Sequence, residues 1–336
     1  MVKWWGYPIA VAVALATAVY WYRPAVVPPR NVDATVSAKQ FSEEPITPIP
    51  LELNLDKGKV ALGRRLFGDT QLSANNTISC AHCHDLSRGG VDGLPRSVGI
   101  DGAVGDINAL TVFNSAFNFR QFWDGRAATL EEQIDGPVLN PKEMGSSWPV
   151  IVTRLRQDQA YRRDFASLYQ DGITADNIKN AIATFERSLT TPNAKFDRYL
   201  RGEKNSLNGN EYAGYVLFKK LGCIACHQGV NVGGNLYEKL GLIENYFEHR
   251  GHIQTVDYGR YNLTHKEADR YEFRVPSLRN VALTAPYFHD ASAKTLEEAV
   301  AIMARYQLGV TLQHDEVAKI VAFLNTLTGE YRVEEK

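Results

Sequence analysis

The stretch Ser-Cys-Ala-His-Cys-His at residues 79–84 has a close counterpart in Gly-Cys-Ile-Ala-Cys-His at residues 222–227. Both contain C-x-x-C-H, the attachment motif for c-type haem. Two thiols on one helical turn can add to the two vinyl groups of a porphyrin, and the histidine that follows can ligate its iron. The sequence therefore predicts two covalent haems. The predicted haem-binding residues are Cys80, Cys83 and His84 in the first motif and Cys223, Cys226 and His227 in the second.

A C-x-x-C pair can instead be a redox centre or half of a zinc site. Histidine makes up only 8 of the 336 residues, so a histidine directly after both pairs is improbable by chance. Four cysteines are too few for a disulfide framework in a chain of this length. With 37 basic and 38 acidic residues the net charge is −1, which gives no support to nucleic-acid binding.

The remaining sequence indicates a mostly α-helical protein. Apolar residues follow helical spacing over residues 176–189 and again over residues 317–327, before Gly329. Thr295 and Glu298 have the spacing of a capping box at the start of another helix. Hydrophobic residues account for 44% of the chain, which excludes global disorder.

An internal repeat divides the chain. Gly-x-x-Leu-Phe occurs at residues 63–67 and 214–218, each time ahead of a C-x-x-C-H motif. We predict two cytochrome c-like domains, at residues 51–200 and 201–336, each folded around one covalent haem.

The N-terminus carries the hydrophobic segment of the chain. Residues 4–22 contain no charge, are long enough to span a bilayer and have aromatic residues at both ends. Residues 1–23 are predicted to be a membrane anchor or a signal peptide cleaved near residues 16–18. A Pro-rich tether follows at residues 24–50. Both alternatives predict a periplasmic protein, and the first would tether it to the inner membrane.

The candidate axial ligands differ between the two halves. No histidine lies between His84 and His227, and Met144 is more typical of a core residue, so the first haem is predicted to have an open face. In the second half, Met303 on the capped helix is the candidate for the second axial ligand. A haem iron with one free coordination position is typical of an enzyme. Two haem irons that each have two protein ligands are typical of an electron carrier.

Longer motifs resemble those of the bacterial dihaem cytochrome c peroxidases, over residues 56–329. The matching segments are SCAHCHDL at 79–86, QFWDGRA at 121–127, NPKEM at 140–144 and VPSLRNVALTAPYFHD at 275–290. The resemblance implies that the His84 haem reacts with peroxide. It also implies that the second haem transfers electrons, with His227 and Met303 as its axial ligands.

The same resemblance implies further site residues. Glu143 would carry a proton between the two peroxide oxygens, Gln133 would orient the bound oxygen, and Trp123 would relay electrons between the haems. A calcium ion would bind the side chain of Asn108 and the carbonyls of Thr284 and Pro286.

One position departs from the family pattern. Most members carry a histidine that blocks the resting peroxidatic iron, where this chain has Ile100. Isoleucine cannot ligate iron, so the first haem is expected to be open in the oxidised protein, without reductive activation. The related methylamine-utilisation maturation enzyme also lacks this histidine but has a tyrosine ligand on its second haem. Tyr306, one turn from Met303, keeps that alternative open.

The sequence therefore predicts an enzyme that reduces hydrogen peroxide to water. Its electrons would come from a small donor protein, either a c-type cytochrome or a cupredoxin, and the resemblance extends to a homodimer. The alternatives are a dihaem oxidase that modifies another protein and a membrane-tethered dihaem electron carrier without chemistry of its own.

Overall fold

The computed structural model describes Met1 and residues 44–331. The predicted anchor or signal peptide and most of the predicted tether lie outside the described residues. Among residues 44–331, no helix combines the length and the apolar character needed to cross a membrane.

Residues 44–331 are mainly helical, as the sequence predicts. Two short strands, β1 and β2, pair antiparallel at Tyr237–Lys239 and Glu272–Arg274. The α-helices described in this range are α1 Lys57–Phe67, α2 Cys80–Cys83, α3 Leu130–Leu139, α4 Trp148–Gln157, α5 Gln159–Leu168, α6 Ala175–Ser188, α7 Lys195–Leu200, α8 Gly209–Lys220, α9 Tyr246–Arg250, α10 Tyr261–Thr264, α11 Leu296–Leu308 and α12 His314–Asn325.

The three helices predicted from periodicity and capping are confirmed. They are α6, α11 and α12, and α11 begins at a capping box in which Thr295 and Glu298 bond to each other's backbone. The reciprocal bonds satisfy two amide groups that the first helical turn leaves without partners.

The described residues enclose two large apolar cores. The first consists of side chains from residues 62–189, mainly from α1 and α3 to α6. The second consists of Ile46 and side chains from residues 196–327, mainly from α8, α11 and α12. A smaller cluster around Tyr246, Phe247 and Phe273 packs against Trp123 and Tyr306.

The repeated Gly-x-x-Leu-Phe sequence corresponds to a repeated helix crossing. A Cβ on Gly63 of α1 would lie 2.0 Å from the carbonyl oxygen of Ala181 on α6. A Cβ on Gly214 of α8 would lie 1.9 Å from the carbonyl oxygen of Lys319 on α12. In each half the missing side chain lets two helix backbones touch.

The repeat extends beyond the helix pairs. Asn114 and Asn280 both adopt left-handed backbone conformations directly before a 3-10 helix. Isolated antiparallel bridges then join Gln121 to Ala127 and Tyr287 to Ala293. In this alignment Trp123 of the first half corresponds to His289 of the second.

The end of the predicted tether packs on the second core. Ile46 and Ile49 are fully buried. The amide of Thr47 donates to the carbonyl of Gly229, 3.4 Å away, and Arg201 donates to the carbonyl of Ile49. Residues 44–50 are thus attached beside the second C-x-x-C-H motif.

We predict that Gly63→Ala lowers the free energy of unfolding by about 1–3 kcal/mol, because the new methyl group would overlap backbone atoms of α6. Gly209→Ala is the matched control, since a Cβ at Gly209 meets nothing within 4 Å. Urea unfolding followed by circular dichroism measures both. Equal stabilities for the two variants would contradict the close helix crossing.

Candidate functional site

The two motif histidines are held in the same way. His84 Nδ1 lies 3.1 Å from the carbonyl oxygen of Gly90, and His227 Nδ1 lies 3.3 Å from that of Val232. Burial lowers the pKa of His84 and lowers that of His227 to about 4, against these hydrogen bonds. Each imidazole is therefore neutral near pH 7 and has Nε2 free to ligate a metal.

The four motif cysteines form no disulfide and are partly buried. Burial raises the pKa of Cys80 to about 12 and those of Cys83 and Cys223 to about 11. A reactive or zinc-binding cysteine has a lowered pKa instead. Neutral, partly buried sulfurs fit thioether attachment to a porphyrin.

A large apolar cavity opens above the second motif. Its volume is about 1560 Å³, including the space open to solvent, and both His227 and Met303 line it. Cys223 and Cys226 also line this cavity. The two thiols, the imidazole and the thioether thus surround one apolar space, which fits a c-type haem.

Tyr306 packs away from this cavity. Its ring contacts Tyr246 at a centroid distance of 5.2 Å and His249 at 5.5 Å. Met303 lines the cavity wall and Tyr306 does not. The geometry therefore favours Met303 over Tyr306 as an axial ligand.

Near the first motif, the turn after α3 brings Glu143 against the short 3-10 helix that begins at Ile100. The amide of Ile100 donates to the carbonyl of Glu143 at 2.9 Å, and the Ile100 side chain packs against the first core. The Glu143 carboxylate accepts from Asn140 Nδ2 at 2.7 Å. Burial raises the pKa of Glu143, and its charge helps to raise the pKa of Cys83.

Gln133 lies one helix earlier in the same region. It is half-buried on α3. Its backbone N–H donates to the carbonyl of Thr129, the residue that caps this helix. The chain from Gln133 to Glu143 therefore runs through the end of α3 and the turn after it.

Trp123 lies between residues of both halves. Its Nε1 donates to the carbonyl oxygen of Asn108 at 2.9 Å. Its ring makes edge contacts with His289, at a centroid distance of 6.2 Å, and with Phe273, at 6.4 Å. It also lines the cavity of the second motif.

The three residues that the resemblance assigned to calcium lie on the wall of the large cavity that the second motif also lines. Asn108, Thr284 and Pro286 all line the same cavity. Asn108 Nδ2 donates to the carbonyl of Leu94 at 3.0 Å, which leaves the side-chain oxygen as the atom for a cation.

The comparisons with known proteins agree with this geometry. Residues 57–205 match the family model described as "Di-haem cytochrome c peroxidase". The chain is 47% identical over 290 residues to "Cytochrome c551 peroxidase" of Nitrosomonas europaea, covering 86% of this chain and 85% of that protein. The chain belongs to the dihaem cytochrome c peroxidase family.

Two further relatives extend this result. "Cytochrome c peroxidase Ccp" of Escherichia coli K12 is 50% identical over 296 residues, covering 88% of this chain, while the chain spans 63% of that relative's length. A crystal structure of "a MauG-like protein associated with microbial copper homeostasis" superposes with a TM-score of 0.73 at 31% identity, covering 88% of this chain and 96% of that one.

These relatives confirm the predicted family, and at the family level they confirm the enzyme class. The mostly helical dihaem peroxidase fold is confirmed as well. Membership of a dihaem family implies two c-type haems, which agrees with the fit of both motifs.

One buried cluster in this family member was missed by sequence reasoning. His289 is 1% exposed, and its Nε2 lies 2.7 Å from Asp257 Oδ1. Arg250 donates to both Asp257 and Asp290. Against the effect of burial, the hydrogen bonds from His289 and Arg250 hold the pKa of Asp257 well below its usual range. Only the tertiary structure brings these residues together.

Because Asp257 is ionised and buried, we predict that Asp257→Asn costs about 3 kcal/mol of unfolding free energy at pH 7. The carboxylate contributes stability above its unfolded pKa, about 3.9, and loses it as the pH falls through its lower folded pKa. The difference between wild type and variant should therefore shrink below about pH 4.

Asp315→Asn is the control, since Asp315 pairs with Lys319 on the exposed face of α12 and should change little. Urea titrations from pH 3 to pH 7 measure both variants. An Asp257→Asn protein as stable as wild type at pH 7 would contradict the view that Asp257 is an ionised carboxylate stabilised by its partners.

Proposed function

We propose that this chain reduces hydrogen peroxide to water, taking up two electrons and two protons for each peroxide and releasing two waters. The observation that carries the proposal is the half-buried Glu143 carboxyl, which has a raised pKa and lies beside the first C-x-x-C-H motif. Such a carboxyl can take and return a proton near neutral pH.

When bound, the haems supply the one-electron chemistry that amino-acid side chains lack. Glu143 would accept the proton of the near peroxide oxygen and return it to the far oxygen, which then leaves as water. Asn140 holds the carboxylate by the 2.7 Å hydrogen bond. The Gln133 amide would orient the peroxide by hydrogen bonding.

Trp123 would carry electrons between the two haem sites. Its position is supported by its place on the cavity of the second motif and by its hydrogen bond to Asn108. In the second site, His227 and Met303 would hold the haem, which would supply electron transfer there.

Ile100 is the basis for proposing activity without reductive activation. Its side chain packs against the first core, and an isoleucine offers no atom that can bind iron. The first iron would therefore keep an open position in the fully oxidised protein.

The remaining assignments complete the proposal. A calcium ion would bind Asn108, Thr284 and Pro286 between the halves, and the two halves would act as domains that divide near residue 200. Electrons would come from a small c-type cytochrome or a cupredoxin. The protein would act in the periplasm, tethered to the inner membrane if the segment at residues 1–23 is retained, and as a homodimer.

A protein-modifying oxidase is the second candidate, because the MauG-like structure is similar to this chain. The position of Met303 on the cavity, and of Tyr306 away from it, favours the peroxidase. An electron carrier would need two protein ligands on each haem iron. Ile100 disfavours this alternative, because it cannot ligate the first iron.

The deciding experiment adds peroxide to the fully oxidised protein and follows the haems by optical and spin-resonance spectroscopy. We expect a high-spin ferric signal that disappears on mixing, followed by turnover with a reduced donor protein. Ile100→His should supply a ligand, convert that signal to low spin and make turnover depend on prior one-electron reduction. Two low-spin haems that do not react, before or after reduction, would overturn the proposal.

We predict that Glu143→Gln lowers kcat for peroxide at least 100-fold, because an amide cannot accept the proton. In wild type the rate should rise with pH through the raised pKa of Glu143, and this limb should vanish in the variant. Stopped-flow rates between pH 4 and pH 8 measure both effects. Glu203→Gln, at an exposed position, is the control. A wild-type rate in Glu143→Gln would remove Glu143 from the mechanism.

A further inference from the structure

Glu186 is a buried carboxyl for which the proposed mechanism has no use. It lies on α6 in the first core and is 5% exposed. Its Oε2 has no hydrogen-bond partner among the described residues. The neighbouring Arg187 does not neutralise it, because that guanidinium pairs with Glu131 of α3 at 2.8 Å. A buried carboxylate oxygen without a hydrogen-bond partner is costly, so its presence needs a reason.

The internal repeat identifies what Glu186 faces. Gly63 contacts Ala181 and Phe185, as Gly214 contacts Lys319 and Phe323. One residue after each phenylalanine stand Glu186 in the first half and Leu324 in the second. Leu324 lines the cavity of the second haem motif, together with Cys223.

An independent observation agrees with this correspondence. The charge of Glu186 is the largest contribution after burial to the raised pKa of Cys80, the first cysteine of the first motif. Glu186 therefore lies on the Cys80 side of the first haem site, as Leu324 lies beside Cys223.

We propose that the Glu186 carboxyl lines the first haem pocket and links the reduction potential of that haem to pH. When the haem takes up one electron from the donor protein, Glu186 takes up one proton from solvent, so that no net charge is added to the buried site. The inference rests on the proposed function in one respect, that the first motif carries a haem.

The surroundings of Glu186 support this link. Burial raises its pKa to about 8, with Arg187 opposing the shift and Glu131 adding to it. Reduction removes a positive charge from the pocket and favours the protonated acid, whereas oxidation favours the carboxylate. The charged and titratable groups on its own helix and on the helices that contact it are Asp176, Lys179 and Arg187 of α6, Lys57, Lys59, Arg64 and Arg65 of α1, Glu131, Glu132 and Asp135 of α3, and Arg154 and Arg156 of α4, with Cys80 of the first motif nearby.

Most of these groups are already engaged. Arg154 donates to the carbonyls of Gln71, Ser73 and Ala74, and Arg156 donates to that of Ile173. Lys179 pairs with Asp135 and Asp176, and Arg64 lies over the Phe185 ring. None of these contacts provides Glu186 with a counterion.

The test is a spectroelectrochemical titration of both haems in the full-length holoprotein between pH 6 and pH 9.5, without peroxide. In wild type the potential of the first haem should fall as the pH rises, by at most about 59 mV for each tenfold change in proton concentration. Glu186→Gln, which has the same size and no titrating proton, should abolish this slope and leave the second haem unchanged. Infrared difference spectra should lose the carboxylic-acid band that forms on reduction.

Asp176→Asn is the matched control and should retain the slope, because it removes an exposed carboxylate from the same helix and leaves Glu186, Glu131 and Arg187 in place. Glu186→Leu, which copies the second half, should behave as Glu186→Gln if it folds. A wild-type slope in Glu186→Gln would overturn the inference. A first haem that shows the slope but does not react with peroxide would overturn the proposed function instead.

Discussion

The close crossing of two helices, made twice, is the contact on which the rest of this structure depends. Gly63 and Gly214 have no side chain, so the carbonyls of Ala181 and Lys319 can approach their backbones directly. Each crossing fixes the rotation of the second helix about its own axis. That rotation determines which of its residues face the C-x-x-C-H motif. One crossing sets the direction in which residues 182 and 186 face, and the other does the same for residues 320 and 324.

Function in this family member arises where the two halves of the repeat differ. Both halves use a capped helix after an isolated bridge, with Thr129 and Thr295 as the capping residues. At corresponding positions the first half has Trp123 and Gln133, and the second has His289 and Ala299. The same scaffold thus carries different side chains at matching positions of its two halves.

Buried charges hold distant segments of the second half together. Arg279 and Asp197, both fully buried, pair at 2.7 Å, and Arg279 also donates to the carbonyl of Thr47. Burial lowers the pKa of Arg279, and Asp197 opposes that shift. Because each charge needs its partner in a medium of low polarity, such pairs fix the positions of distant segments. Residues 44–50 are held against the second half in this way.

The sequence by itself determined the covalent and local features of this protein. The two C-x-x-C-H motifs, the helices from Ala175 and Leu296, the repeat and the family all follow from residues close together in the chain. Spacing along one helix or one turn is enough to specify them.

Only the tertiary structure decided which distant residues meet. Met303 lines the cavity and Tyr306 does not, because only one face of α11 borders it. The position of Glu186 depends on the crossing of α1 and α6, and the Arg250 cluster joins residues 250, 257, 289 and 290 through loop packing. These contacts depend on how distant segments of the backbone pack against each other. The spacing of residues along the chain does not specify that packing.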